Sequence, residues 1–150
     1  MKKNKIMIIG CGGIGSYLIS LLDRANRMNT TTMLYDITVY DPDVVETKNL
    51  SYQNFDADDV GLNKAEALSQ RFVFKSQPYK VLTPSQIEGY DLVICCADNL
   101  DVRKMLYKSG IRWLDLRAQG RAGLLVSSDE DPKLYSTLTA GPEGSFSCQG

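Results

Sequence analysis

The stretch IMIIGCGGIGSYL, residues 6–18, does most to limit what this chain can fold into. A short apolar run breaks on glycines and restarts with helical spacing, which predicts a strand, a tight turn and a helix. Gly10, Gly12 and Gly15 satisfy the pattern G-x-G-x-x-G, and Gly13 lies inside the same turn. The first glycine permits the sharp turn, the second lets backbone approach a phosphate, and the third lets the helix pack on the strand. The helix then presents its free N–H groups and the positive end of its dipole to an anion. Such a turn serves the pyrophosphate of a dinucleotide or the phosphates of ATP. The glycines alone do not choose between them.

The rest of the chain alternates in the same way. The first strand covers residues 5–10 and the helix residues 13–28, with Ile14, Leu18, Leu21 and Leu22 on one face and Asp23, Arg24 and Arg27 elsewhere. A β-branched second strand occupies 36–41. A polar passage follows at 42–60, with one candidate turn of helix at 46–49. A passage of that kind inside a compact domain is usually functional. Next come a helix at 63–74 with Asn63 as its cap, a weak strand at 79–82 and a strand at 91–97. The 91–97 segment is apolar almost throughout, as a strand buried on both faces should be. A helix at 99–108 stops at Gly110, and strands at 112–118, 122–128 and 133–139 complete the reading. Strands alternating with helices predict an α/β fold, Rossmann-like and doubly wound. The sheet is expected to be mainly parallel, with later strands mixed or antiparallel.

With 150 residues the chain amounts to one domain, large enough for a proper core. Its 17 basic and 18 acidic residues form no block of like charge, so neither a nucleic-acid groove nor a polybasic membrane patch has support. Histidine is absent, which excludes histidine-based triads and histidine-ligated metal within this chain. The four cysteines, Cys11, Cys95, Cys96 and Cys148, lack framework spacing and are read as reduced thiols, which points to the cytoplasm. The apolar run at 6–9 is too short for a signal peptide, and nothing reaches the length of a membrane span.

Three further residues carry the choice of ligand. Asp41 ends the second strand, where a carboxylate accepts hydrogen bonds from ribose hydroxyls, although aspartate before a proline also suits a turn. Lys64 opens the second helix. As a point charge it favours a triphosphate, whereas on spacing alone it is a solvated helix residue. Asp98 follows the buried strand at its carboxyl end, where open α/β sheets bind ligands. It suits either Mg²⁺ or the cap of the next helix.

The segments GCGGIGS, VYDPDVVETKNL, DVGLNKAEAL and DLVICCADN stand in that order. Together they resemble the ThiF/MoeB/E1 family, adenylyltransferases that activate ubiquitin-like proteins and sulfur carriers, over about residues 6–126. The resemblance implies that a protein's C-terminal carboxylate attacks the α-phosphorus of Mg-ATP to give an acyl-adenylate and pyrophosphate. It implies Asp41 on the ribose, Asn49 and Gln53 near the phosphates, Lys64 neutralising phosphate charge and Asp98 on Mg²⁺. It also implies a small ubiquitin-like or sulfur-carrier protein as partner, and a homodimer. The alternatives left open are a non-catalytic nucleotide- or partner-binding member of the same family, and an NAD-dependent oxidoreductase domain.

Three features depart from the family pattern. NLSYQ replaces NLxRQ, so Tyr52 stands where a phosphate-binding arginine is expected, with Arg103, Arg117 and Arg121 as candidate substitutes. The N-terminal helix of many members, whose arginine reaches a partner subunit, has no counterpart before the first strand. The chain ends at SFSCQG, before the C-x-x-C pairs of longer members, and is expected to be either cut short at its C-terminus or a minimal member. Cys148 is read as a tail cysteine rather than a thioester nucleophile.

Overall fold

The structure, a computed structural model, describes residues 3–28, 34–119 and 121–138. Its strands are β1 (Lys3–Ile9), β2 (Leu34–Tyr40), β3 (Lys75–Gln77), β4 (Leu92–Cys95), β5 (Trp113–Gln119) and β6 (Ala122–Ser127). Its α-helices are α1 (Gly15–Met28), α2 (Lys64–Ser69), α3 (Leu100–Tyr107) and α4 (Pro132–Leu138). The described strands form one sheet in the order β3-β2-β1-β4-β5-β6. Strands β1 to β5 pair in parallel, and β6 returns antiparallel on β5. The expected α/β architecture is therefore present, including the antiparallel return.

Alternation along β1 builds both layers of the core. Ile6 and Ile8 pack with Ile19 of α1 and Leu68 of α2, while Met7 and Ile9 pack with Val102 and Leu106 of α3. Successive side chains of a strand point to opposite faces, so a strand covered on both sides must be apolar at every position. Near α4, Tyr107, Trp113 and Tyr135 stack at centroid distances of 4.6–5.0 Å.

Four readings are corrected. The buried face of α1 runs through Gly15, Ser16, Ile19 and Asp23, so Leu21 is exposed and Asp23 is inside. Asp23 tolerates burial because it accepts the Val73 N–H at 3.0 Å and pairs with Arg27 at 2.8 Å. The weak strand at 79–82 lies outside the sheet; the edge strand is Lys75–Gln77, and Pro78, which has no N–H, ends its ladder. The segment read as a strand at 133–139 is helix α4 as far as Leu138, with Pro132 at its first position and the Asp131 carboxylate accepting the Lys133 N–H. The cap of α3 is Asn99, which accepts the Val102 N–H at 3.1 Å, and not Asp98.

Between β1 and α1 the chain turns through Gly10 at φ +90°, and a Cβ there would meet the Ala97 backbone at 2.9 Å. A Cβ on Gly15 would lie 2.0 Å from the Gly10 carbonyl oxygen. Gly15→Ala is therefore expected to destabilise the fold by at least about 1–3 kcal/mol in urea unfolding. Gly12 differs, because its Cβ would meet Gln53 at an ordinary 3.5 Å. Gly12→Ala should stay within about 0.5 kcal/mol of wild type.

Candidate functional site

Strands β1 and β4 are neighbours whose outgoing chains leave in opposite directions along the sheet, and a cleft opens at their carboxyl ends. Ligands of open α/β sheets bind at this switch point. The cleft measures about 790 Å³. Gly10, Gly12 and Gly13 line one wall, and Asp41, Asn49, Gln53, Lys64 and Asp98 surround it. Gly15 does not line it but lies beneath the turn, where it admits α1. Every other site residue named from the sequence faces this one space.

Local structure explains the convergence. Asp41, only 5% exposed, accepts the Cys11 N–H and the Asp43 N–H, each at 2.8 Å. This clips the end of β2 to the glycine turn. The Asn63 amide donates to the carbonyls of Asp41 and Asp43, while its side-chain oxygen caps α2 by accepting the Glu66 N–H. Lys64 is thereby seated at the first position of α2, directly against the strand end. It is 8% exposed, and among the described residues its ammonium has no ion pair or hydrogen bond. A buried lysine that faces a cleft without a partner is suited to an anion.

The polar passage at 42–60 contains two short 3-10 turns, Thr47–Ser51 and Ala57–Asp59. The first carries Asn49, whose side-chain oxygen accepts the Glu46 N–H at 2.7 Å and whose amide donates to the Tyr52 hydroxyl at 3.3 Å. Ser16 of α1 anchors the following residues by accepting the Asn54 N–H at 3.0 Å. Two buried side-chain oxygens of described residues lack a hydrogen bond, Gln53 Oε1 and Asp98 Oδ1. Both belong to residues that line the cleft. Asp98 Oδ1 lies 3.5 Å from Arg103 Nη1 without a hydrogen bond, whereas Gln53 Oε1 has neither, and a buried polar atom left so beside a cleft suits a polar ligand. Asp98 can offer Mg²⁺ one carboxylate, as that ion requires beside phosphate oxygens. Among the described residues no group of three or more histidine, cysteine or acidic side chains forms a metal-holding cluster.

The arginines proposed to replace a cation at position 52 do not do so. Arg103 and Arg117 are buried against Asp115, and neither they nor Arg121 line the cleft. Among the described residues the cations that line it are Lys48, Lys64 and Lys80. Lys48 and Lys80 were missed in the sequence. Lys48 lies in the 3-10 turn four residues before Tyr52, and Lys80 falls in the segment misread as a strand.

Burial, and then the Asp41 carboxylate, push the Cys11 thiol well above its ordinary value; Cys95 is pushed up to about 12 by burial and by Asp115. Neither is a thiolate at neutral pH, so neither serves as a nucleophile. Cys148 lies outside the described residues. Among the described residues no helix is long and apolar enough to cross a membrane.

The chain belongs to the ThiF family, whose sequence profile matches residues 1–132. The adenylyltransferase and sulfurtransferase UBA4 of Yarrowia lipolytica is 31% identical over 122 residues, covering 74% of this chain and 29% of its own length. Ubiquitin-like modifier-activating enzyme 5 of Aedes aegypti is 25% identical over 125 residues, covering 69% and 30% respectively. The chain thus spans about three tenths of each of these relatives. The E. coli tRNA N6-threonylcarbamoyladenosine dehydratase TcdA, solved in complex with ATP, shares the fold with a TM-score of 0.66 at 24% identity, over 79% of this chain and 53% of that one.

Burial raises Asp41 above the usual carboxylate value, opposed by the N–H groups of Cys11 and Asp43 and by the charge of Lys64. The folded state therefore holds this proton at pH values where the unfolded chain has released it. Its contribution is fully present below the unfolded value and is lost as pH rises through the folded one. Wild type should gain stability relative to Asp41→Asn as pH falls from neutral toward about 4, measured by urea unfolding.

Proposed function

We propose that the cleft binds Mg-ATP and that the protein adenylates the C-terminal carboxylate of a small ubiquitin-like or sulfur-carrier protein. The observation that carries this reading is Lys64, a buried and unpartnered cation facing the glycine turn across one cleft. A dinucleotide's pyrophosphate is served by the turn and the α1 N-terminus; a triphosphate has further charge for a lysine to meet. The similarity to UBA4, an adenylyltransferase and sulfurtransferase, and to ubiquitin-like modifier-activating enzyme 5 supports the reaction class, and the ATP complex of TcdA supports the ligand. A homodimer accompanies the reading through the family resemblance, and a cytoplasmic setting through the cysteines read as reduced thiols.

In the reaction, a carboxylate oxygen of the partner attacks the α-phosphorus of ATP. The new C–O–P linkage forms as the bond to the bridging oxygen breaks, and pyrophosphate departs with that electron pair. The chain positions and neutralises rather than bonds covalently. The turn at Gly10, Gly12 and Gly13 and the first N–H groups of α1 receive phosphate oxygens, and Asp41 receives the ribose. Asn49 and Gln53 hydrogen-bond the phosphates, and Lys64 offsets charge on the leaving pyrophosphate. Asp98 would hold magnesium, which when bound would supply further neutralisation of phosphate charge. ATP–pyrophosphate exchange that depends on an added carrier protein tests the proposal.

A second reading, a non-catalytic member of the family, is favoured by Tyr52. Its hydroxyl is already engaged by Asn49, and no arginine lines the cleft among the described residues. Tyr52→Arg separates the two. A guanidinium meets phosphate in a bidentate way that a phenol cannot. The added contact, roughly 1.5–3 kcal/mol, should raise exchange by about one to two orders of magnitude in a working site. A loss of exchange indicates that Lys48 or Lys80 already fills that place. Absence of exchange from both proteins with every carrier tried supports the non-catalytic reading.

A further inference from the structure

We infer that Arg103 is a positioning residue for Asp98, tying the cleft's carboxylate to a buried charge cluster under β4 and β5. This rests on the reading of Asp98 as the magnesium-binding carboxylate. Arg103 lies on α3, is 3% exposed and does not line the cleft, so it can touch a ligand there only through another side chain. Its Nε donates to Asp115 Oδ1 at 3.3 Å, and its Nη1 lies 3.5 Å from Asp98 Oδ1. Asp115 is fully buried and is held from the other side by Arg117, through Nε and Nη2 at 3.1 Å each, and by the Tyr107 hydroxyl.

Among the described residues Asp115 lies between the guanidinium groups of Arg103 and Arg117, and Asp98 is the second carboxylate within ion-pair distance of Arg103. A buried guanidinium short of carboxylate partners is strongly disfavoured, so Arg103, whose partner Asp115 is shared with Arg117, keeps the Asp98 carboxylate beside it. The Arg103–Asp98 contact meets the distance for an ion pair but not the geometry of a hydrogen bond, which is why Asp98 Oδ1 is also an orphan. The arrangement anchors the carboxylate by charge at the buried Oδ1, which leaves Oδ2 as the oxygen for a cation. Asp115 fixes the guanidinium plane that does the anchoring. A lysine at 103 keeps the charge, but one ammonium cannot serve both acids in this geometry.

The test is a double-mutant cycle on wild type, Arg103→Lys, Asp98→Asn and the double variant, read in two ways. Calorimetry gives ATP affinity with magnesium and with EDTA. Arg103→Lys should cut the gain that magnesium confers by about tenfold, as loss of an outer partner of a metal ligand does. In the Asp98→Asn background the same change should leave that gain where Asp98→Asn put it. Equal loss with magnesium and with EDTA, or a loss that persists without Asp98, would show Arg103 to be a packing residue and overturn the inference. Urea unfolding without ligand gives the second reading. Effects of the two substitutions on the unfolding constant should be non-additive, whereas additivity within about twofold overturns the coupling. A wild-type protein whose ATP binding ignores magnesium overturns the magnesium reading, and the inference with it; the unfolding cycle then tells whether the pair itself is real.

Discussion

The 2.8 Å hydrogen bond from the Cys11 N–H to the buried Asp41 carboxylate holds the glycine turn against the end of β2. Other contacts of the same residue extend the junction. The Asp41 N–H continues the ladder to Gln77 of β3, its second carboxylate oxygen takes the Asp43 N–H, and its carbonyl takes the Asn63 amide that caps α2. Three chain segments distant in sequence are thereby fixed around one point. Burying this carboxylate is unfavourable, as its raised proton affinity records. Two backbone donors and the Cys11 thiol offset the burial, and Oδ1, which accepts one of them, keeps a lone pair.

The same junction places Lys64, and the opposite wall of the cleft repeats the device with different parts. There Asp98 stands beside Arg103, Asp115 and Arg117, a buried cluster in which each guanidinium has a carboxylate partner. Replacing such clusters with apolar residues often stabilises a protein, so their presence is weak support for stability. At the rim of a cleft they have another consequence. Charges held by buried partners do not reorganise when a ligand arrives, which is the condition for electrostatic catalysis. One wall therefore presents a carboxylate held by buried partners, and the other a buried lysine whose ammonium has no ion pair among the described residues.

Much of this was legible in the sequence because it is local. The glycine turn, the all-apolar β4 and the Asn63 cap each depend on neighbours within a few residues, and each stands where the sequence placed it. What was not legible depends on distant partners or on short turns. Asp23 looked solvated because its acceptor role involves Val73, fifty residues on. Asn49 and Gln53, named through the family resemblance, sit in and just after a 3-10 turn whose periodicity is too short to place them by itself. Arg117 was taken as a spare cation although Asp115, two residues before it on the same strand, shares its face. The Asp131-Pro132 pair was a readable start signal for α4, and its omission turned a helix into a strand.

The central claim is that Lys64 makes this a triphosphate site rather than a dinucleotide site. Calorimetric titration of wild type and Lys64→Met with Mg-ATP and, separately, with NAD⁺ tests it most directly. The account predicts that wild type binds Mg-ATP and does not bind NAD⁺ comparably, and that Lys64→Met loses about tenfold or more in ATP affinity, the effect of one charge-assisted contact. NAD⁺ binding in preference to Mg-ATP, or ATP affinity unchanged by the loss of Lys64, would contradict it.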